Sequence, residues 1–455
     1  MLTVAADQNP RSGSGGLRRS VGPTGAFLVT VTCVAPSIAV FIVGADVMRH
    51  VGTGVFLCFA AAAILGVLMS AVYGELGSAI PGAGGEYTIF THVFGSLAGH
   101  GIIGLNLLGF SVSLALSSYG VATYLGEFIP NMSPRIAAPI TIGVVTLIAT
   151  LRIQVGALMT AAFLLTEIVA LAVVTVVGMG HAGRPLSVLI HPVIAAPVGL
   201  GAPSAIAMGV ATAAGIYAFN GYGAAIFFGE DMKDAPRHTA PVVFAALVAG
   251  VIVVMPPIIA LVLGAPQLQA FSGREPILTV VEQLAGSRLA HIMSLGVGLA
   301  ILNTSIAVAL MAGRQLYATA QDNLWSASIN RALKITHSRW GSSWAATLVM
   351  GCCGIAATLL NPHVLVLVLG NSNVLTYSVL CVAALWGRRS GKTSKAPWQM
   401  PLYPLPPLLA LGIFAAVAGF TLFDPAGRFG LMVSVLTITG SALLFGAMQR
   451  LPDAR

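Results

Sequence analysis

Apolar residues run along almost the whole chain in blocks of twenty or so, separated by short polar connections. A helix needs about 20 apolar residues to cross the hydrocarbon core of a bilayer. Twelve blocks reach that length, centred near residues 36, 67, 111, 144, 168, 217, 251, 304, 350, 375, 411 and 438. Backbone groups cannot stay unpaired in hydrocarbon, so each block is predicted to be helical, and irregular only where protein or water covers it. The longest internal polar stretch, Gln321 to Ser343, leaves little room for a soluble domain. Within it, Leu324–Ile335 spaces Trp325, Ile329 and Leu333 against Asn330, Arg331 and Lys334, which suits a short interfacial helix with its apolar face toward the membrane.

Two blocks are flawed in their middles. Ala213–Asp231 carries Gly215, Asn220, Gly221 and Gly223 at its centre, where each glycine costs a helix about 1 kcal/mol relative to alanine. Val34-Ala35-Pro36-Ser37 interrupts the first block with a residue that lacks an amide proton and clashes with the preceding turn. Interrupted spans in corresponding places of two halves point to a secondary transporter with its site at the bilayer midplane. The expected organisation is a disordered cytoplasmic tail over 1–20, a first inverted repeat of five spans over 21–180, and a second over 204–386. Two further spans and a cytoplasmic tail then fill 387–455.

Composition agrees. The 455 residues are 57% hydrophobic and 8% charged, against about 25% charged in soluble domains, which excludes a water-soluble globule. The net charge of +8 is a matter of topology rather than of a nucleic-acid surface. With the N-terminus taken as cytoplasmic, sixteen of the 22 Lys and Arg residues fall on the inside and six on the outside. That bias places both termini in the cytoplasm of a multi-pass protein of the cell inner membrane. The first block is followed by further spans rather than a clear cleavage site, so it is expected to be an uncleaved anchor. Cys33, Cys58, Cys352, Cys353 and Cys381 lie in apolar blocks without metal spacing and are expected to be small packing residues.

Four stretches resemble the amino acid–polyamine–organocation (APC) superfamily of permeases. They are Tyr73-Gly74-Glu75-Leu76 with Pro81 to Tyr87 and Phe94-Gly95; Phe219-Asn220-Gly221-Tyr222 with Gly229-Glu230-Asp231-Met232-Lys233 through Arg237; Arg314 to Asp322; and the fifth-span segment around Glu167. The resemblance implies an all-α integral membrane fold of about twelve helices, of the leucine-transporter type, with a 5+5 inverted repeat, broken helices one and six, and two extra helices. It also implies import or exchange of amino acids or amines. The chain departs from the family in two places. A Gly-Ser-Gly-Ile-Phe-like run is replaced by Val34 to Phe41, and an acidic residue two positions beyond the sixth-span glycine is replaced by Gly223.

The candidate chemistry follows from the breaks. The N-terminus of a half-helix carries about half a positive charge, so a substrate carboxylate is expected near Pro36, Ser37, Ile38 and Ala39 and near Asn220, Gly221 and Tyr222. Tyr217 and Phe219 bracket the second break; by resemblance, an aromatic at Tyr217 closes over substrate. Asn303, beside Thr304 and Ser305, is a further candidate contact. Hydroxyls in such helices also commonly bond their own backbone, and the serines of the third span share that ambiguity. Glu167 lies mid-span, where a carboxylate costs about 2.5–3.5 kcal/mol on insertion scales and marks ion or proton pathways; it is the candidate proton carrier. Many relatives have lysine there by resemblance. Glu75, Glu86, Glu230, Asp231, Lys233 and Arg237 are candidates for a cytoplasmic gate, or for an ordinary solvated helix edge.

The function expected is a secondary permease for a small amino acid or amine, proton-coupled, working by alternating access, with the lipid bilayer and a proton as partners. Polyamine or alkylamine import and substrate–product exchange are the alternatives, and an integral-membrane enzyme is a remote one. No cofactor or metal is expected. Gly391-Lys392-Thr393 fails as a phosphate loop because the required earlier glycine falls on Trp386 and the segment follows a membrane helix rather than a strand.

Overall fold

The computed structural model describes residues 22–448 apart from 83, 130–132, 152–156, 197–198, 229–231, 274 and 337–342. The tail over 1–20 lies outside the described residues. Helices stand at all twelve expected positions. Span one is split into Pro23–Cys33 and a second piece, Ile38–Gly44 wound as a π-helix and running on into Ala45–Val51. Span two is Val55–Ala79, three Ser96–Tyr124, four Pro134–Thr150 and five Ala157–Gly180. Span six is Ala205–Ala218 followed by a tight 3₁₀ stretch, Tyr222–Phe228. Then come seven, Ala235–Gly264; eight, Ser287–Gln321; nine, Trp344–Ala357; ten, Pro362–Arg389; eleven, Leu405–Phe423; and twelve, Pro425–Met448. Eight helices among the described residues are long and apolar enough to cross a membrane on their own; one of these runs from Ile38 through Ala79.

Local chemistry sets the ends. Ser204 caps span six by accepting the Ala207 amide at 3.1 Å, and Asn361 caps span ten by accepting the His363 amide at 2.9 Å. Side-chain oxygens there answer amides that have no partner inside the helix, and Pro362 fills a first-turn position where its missing amide proton is harmless. A two-stranded antiparallel hairpin, Ile194–Ala195 against Leu200–Gly201, lies in the connection from span five to span six.

The packing repeats itself. Span one lies on seven as six lies on two; three lies on four as eight on nine; five packs on seven and eight as ten packs on two and three. The short helix Glu86–Phe94 packs on three and ten, and its counterpart Pro276–Ala285 packs on eight and five. Adding five to the span numbers therefore maps each of these pairings onto another, as a five-plus-five arrangement requires. Spans eleven and twelve add to the outside, and side chains such as Leu422, Leu436 and Leu443 stay exposed. Apolar outer surface of this kind is what lipid requires.

Three expectations are corrected. Helix Ala327–Leu333 docks on protein: Leu333 packs with Leu316, Ala346 and Met350, while Ile329 is exposed. Asn330, read as part of the polar face, is buried because its amide donates to the Trp325 carbonyl at 2.6 Å. Of the cysteines, Cys58 and Cys381 are buried, but Cys352 and Cys353 are exposed on span nine, a short helix whose other face does the packing.

The two breaks meet. Gly221 has φ +112°, a conformation open to glycine at little cost. A Cβ built there would collide with the Cys33 carbonyl oxygen and lie 2.7 Å from the Val34 amide nitrogen. The broken ends of spans one and six thus touch backbone to backbone.

The opposite ends of the bundle differ. At the end reached by span two as it finishes, Glu75 is fully buried and the Arg388 guanidinium clasps it with two hydrogen bonds, at 2.7 and 2.5 Å. The Met400 amide adds a third at 2.9 Å, and Arg388 lies 4.1 Å over the Tyr403 ring. At the other end, between spans one, three, four and ten, a cavity of about 1030 Å³ opens past the exposed Leu359 and His50 and reaches inward to Phe41.

Two stability predictions follow from this packing. Gly221→Ala should destabilise the protein by more than about 1 kcal/mol, whereas Gly109→Ala, with open space around its Cβ, should be neutral or slightly stabilising; thermal unfolding of the detergent-solubilised protein reads both. Arg388→Gln leaves Glu75 buried and uncompensated and should cost about 3–5 kcal/mol, while Arg389→Gln next to it, exposed, should change the unfolding midpoint little.

Candidate functional site

The first break follows from Pro36. A residue before proline is pushed out of the right-handed helical region, and Ala35 sits at φ +47°. The helix ends with the Val34 amide bonded to the Val31 carbonyl, and bonding resumes from the Ala39 amide to the Ala35 carbonyl, both at 3.1 Å. The π-helical stretch beyond it leaves backbone groups with altered partners, a feature common at functional sites. One of them is answered from span three, where the Tyr124 hydroxyl donates to the Phe41 carbonyl at 2.8 Å. Pro36, Ser37, Ile38 and Ala39 are all buried. The Ser37 hydroxyl is fully buried and has no protein hydrogen-bond partner among the described residues.

Glu167 projects from span five toward this break. It is 5% exposed, and its carboxylate faces the backbone amide of Ser37. The carboxylate therefore answers a helix N-terminal amide, a favourable pairing of a negative group with the positive end of a half-helix.

The second break turns at Phe219-Asn220-Gly221. The Asn220 amide bonds the Tyr217 carbonyl at 2.9 Å, and the Asn220 side-chain oxygen accepts from the Gly221 amide at 2.9 Å and from the Tyr377 hydroxyl at 3.0 Å. Phe219 and Tyr222 are buried; Phe219 meets Phe59 edge-on, and Tyr222 meets Tyr73 edge-on with centroids 6.0 Å apart. The half-buried Tyr217 places its hydroxyl 3.3 Å from that of Ser113 on span three. Asn303 is half-buried on span eight. Its neighbours Thr304 and Ser305 bond the carbonyls of Ala300 and Ile301 in their own helix, as Ser111 and Ser117 do on span three. Of the third-span serines, Ser113 is the one that reaches across to the sixth span.

Beneath the second break, Tyr73, Tyr222, Tyr377 and Phe414 interlock edge-on or tilted. This block fills the space between the break and the Glu75 end. Glu86, in the short helix between spans two and three, joins it by accepting from the Tyr73 hydroxyl at 2.9 Å. Burial pushes the Glu86 carboxyl above its ordinary range, outweighing the opposing hydrogen bonds from Tyr73 and Asn106. The four gate candidates among the described residues are not brought into one cluster. Glu75 pairs with Arg388, Arg237 lies 3.7 Å from Asp234 at the exposed surface, and Lys233 is exposed. Glu230 and Asp231 lie outside the described residues.

Tyr377 and Arg388 were not singled out by the sequence, and Tyr73 entered only as part of a family-like stretch, without a role. Arg388 was visible only as one basic residue of a polar loop, and Tyr377 as a lone tyrosine in an apolar helix. Gly223 has a local reason for lacking a side chain: a Cβ there would lie 2.8 Å from the Tyr73 ring.

Comparison with known proteins agrees with this architecture. The Asc-type amino acid transporter 1 of Homo sapiens is 23% identical over 442 residues, covering 94% of this chain and 82% of that protein. Its Mus musculus counterpart is 22% identical over the same length. The methylthioribose transporter of Bacillus subtilis (strain 168) is 20% identical over 430 residues, covering 90% of this chain and 89% of that protein. The sequence pattern described as amino acid permease matches residues 22–443. The chain therefore belongs to the amino acid permease family, and is a multi-pass membrane transporter rather than an enzyme.

Proposed function

We propose that this permease imports a small amino acid, holding it where the two broken spans cross and coupling its movement to a proton through Glu167. The observation that carries the reading is the meeting of three things at one depth: the touching breaks, the unpartnered hydroxyl of Ser37, and the carboxylate of Glu167 on the Ser37 amide. A buried hydroxyl without a partner costs about 1–3 kcal/mol, and a substrate carboxylate or ammonium arriving there relieves that cost. Proton uptake by Glu167 would release the Ser37 amide for the substrate, so one titration and one binding event share a hydrogen bond. In this reading Tyr217, Phe219, Asn220, Gly221, Tyr222 and Asn303 complete the walls around Pro36 to Ala39.

The amino acid reading is favoured over a polyamine because Gly223 removes the acidic partner and Tyr73 fills the space it would need. The names of the relatives support the same class, with methylthioribose as a reminder that the family's cargo varies. The reading takes 21–180 and 204–386 as the two inverted repeats, an assignment supported by the exchange of packing partners. The Glu75 end is assigned to the cytoplasm of an inner membrane, with both termini there. The support is its basic residues, among them Arg237, Arg314, Arg388, Arg389 and Lys392, since cytoplasmic loops carry the excess of Lys and Arg. In that orientation the conformation is open outward, and the tyrosine block with the Glu75–Arg388 pair is the closed inner barrier that alternating access must open.

Uptake of labelled small neutral amino acids into proteoliposomes should rise with an inward-directed proton gradient; a rate indifferent to the gradient rejects the coupling. Glu167→Gln should lower gradient-driven uptake at least tenfold while sparing exchange, and wild-type behaviour would return Glu167 to a structural role. Ser37→Ala should raise KM about fivefold, the equivalent of one hydrogen bond near 1 kcal/mol.

A further inference from the structure

Two carboxyl groups are buried at the inner end of the bundle, and their surroundings differ. Glu75 is held by the Arg388 fork and the Met400 amide. Glu86, 8% exposed, begins the short helix Glu86–Phe94, and among the described residues no cation pairs with it. Its partners are neutral. The Tyr73 hydroxyl donates to Oε1 at 2.9 Å, and the Asn106 side chain of span three and the backbone amide of Glu86 itself also face the carboxyl. The titratable groups that face it are Tyr73 of span two and Tyr377 of span ten. On span three, His100 turns to Phe445 instead, and His92 of the same short helix is exposed. Two cations of this end are engaged elsewhere: Arg388 clasps Glu75, and the Lys392 ammonium donates to the His92 and Val93 carbonyls at the far end of the helix, at 2.9 Å each.

A carboxylate taken out of water without a cation is strongly disfavoured, and such a group neutralises instead. Neutral hydrogen bonds oppose this at Glu86 but do not outweigh its burial. An asparagine side chain offers both a donor and an acceptor, so Asn106 can serve the acid as well as the carboxylate. The cover over Glu86 is built from parts that an opening of this end has to move. Gly85, at φ +55°, has no room for a Cβ, because the Phe227 ring of the 3₁₀ stretch of span six lies against it. Tyr73 is wedged edge-on between Tyr222 and Tyr377, with centroids 6.0 and 5.9 Å away. The inner piece of a broken span and the tyrosine block therefore keep water from this carboxyl, and their parting admits it.

We propose that Glu86 is a proton site of the inner barrier, separate from Glu167: it carries a proton while the tyrosine block is closed and gives it to cytoplasmic water when the block opens. The carboxylate left behind is hydrated, and it opposes reclosure until a proton returns. One linked proton shifts the balance between closed and open barrier by up to about tenfold per pH unit, toward open as pH rises. The release rests on the alternating-access reading of the preceding subsection; the proton on Glu86 in the closed barrier does not.

The test begins with thermal unfolding of the purified full-length protein across a pH series, wild type beside Glu86→Gln. The native carboxyl holds its proton more tightly than the unfolded chain does, so wild type loses stability as pH rises from the ordinary glutamate range through the raised one. Glutamine has no such loss. The melting temperature of Glu86→Gln should therefore gain on wild type as pH rises, and a gap constant with pH overturns the proton site. Tyr73→Phe keeps the ring and removes a donor that favours the carboxylate. In that variant the infrared band of protonated carboxyls should persist to higher pH, and a titration that superimposes on wild type overturns the site even where Glu86→Gln fails to fold. In proteoliposomes held at equal pH on both sides, exchange of a labelled small neutral amino acid should slow in acid. Glu86→Gln should show that slow rate at every pH; a wild-type pH profile in this variant overturns the release. A melting gap that widens with pH in a protein that moves no amino acid overturns the transport reading alone.

Discussion

Every peptide group that leaves a helix inside hydrocarbon must find another partner, and this requirement organises the centre of the protein. The chain leaves its helix at Val34–Ala35 and at Phe219–Gly221, and the two exits are stacked against each other through Gly221 and Cys33. Freed groups are answered from elsewhere: Tyr124 bonds the Phe41 carbonyl, the Asn220 side chain, held by Tyr377, takes the Gly221 amide, and the Glu167 carboxylate faces the Ser37 amide. Spans three, five and ten are thereby tied to the breaks by polar side chains.

The same economy explains the difference between the two ends. Around the Glu75 end, four aromatic rings and a buried ion pair fill the interior. Around the Asp46 end, the spans part and a cavity penetrates as far as Phe41. A buried ion pair contributes little net stability over an apolar substitute but is strongly destabilising when broken on one side. It is a suitable fastening for a surface that must be either fully joined or fully apart. The tyrosines add rigid apolar bulk, with the Tyr73 hydroxyl bonded to Glu86 and the Tyr377 hydroxyl to Asn220.

Much of this was legible in the residues because its causes are local. The length of an apolar block sets a span, and proline or clustered glycine interrupts it. That is why the twelve helix positions and both breaks could be placed from the chain alone. Glu167 could be singled out because a carboxylate in an apolar block is costly wherever it points. Side-chain roles were less accessible. The hydroxyls of Thr304 and Ser305 look like those of Ser113, yet only Ser113 faces another span, since rotation about a helix axis is decided by neighbours. Asn330 and Ile329 exchanged their expected environments for the same reason: the helix docks on protein, and its amide side chain serves a neighbouring carbonyl.

By itself, the sequence determined that this chain is a bundle of membrane helices broken in two corresponding places, because both properties depend on stretches of a few to twenty adjacent residues. Only the tertiary structure decided what faces the breaks and what fastens the ends. Glu75 with Arg388 and Asp46 with His363 are each more than 300 positions apart in the chain. No spacing rule joins residues so distant; packing of span two and span one against span ten brings them together. Hydrophobic pattern chooses the elements, whereas the partner of a buried polar group is chosen by which helix face the whole bundle turns toward it.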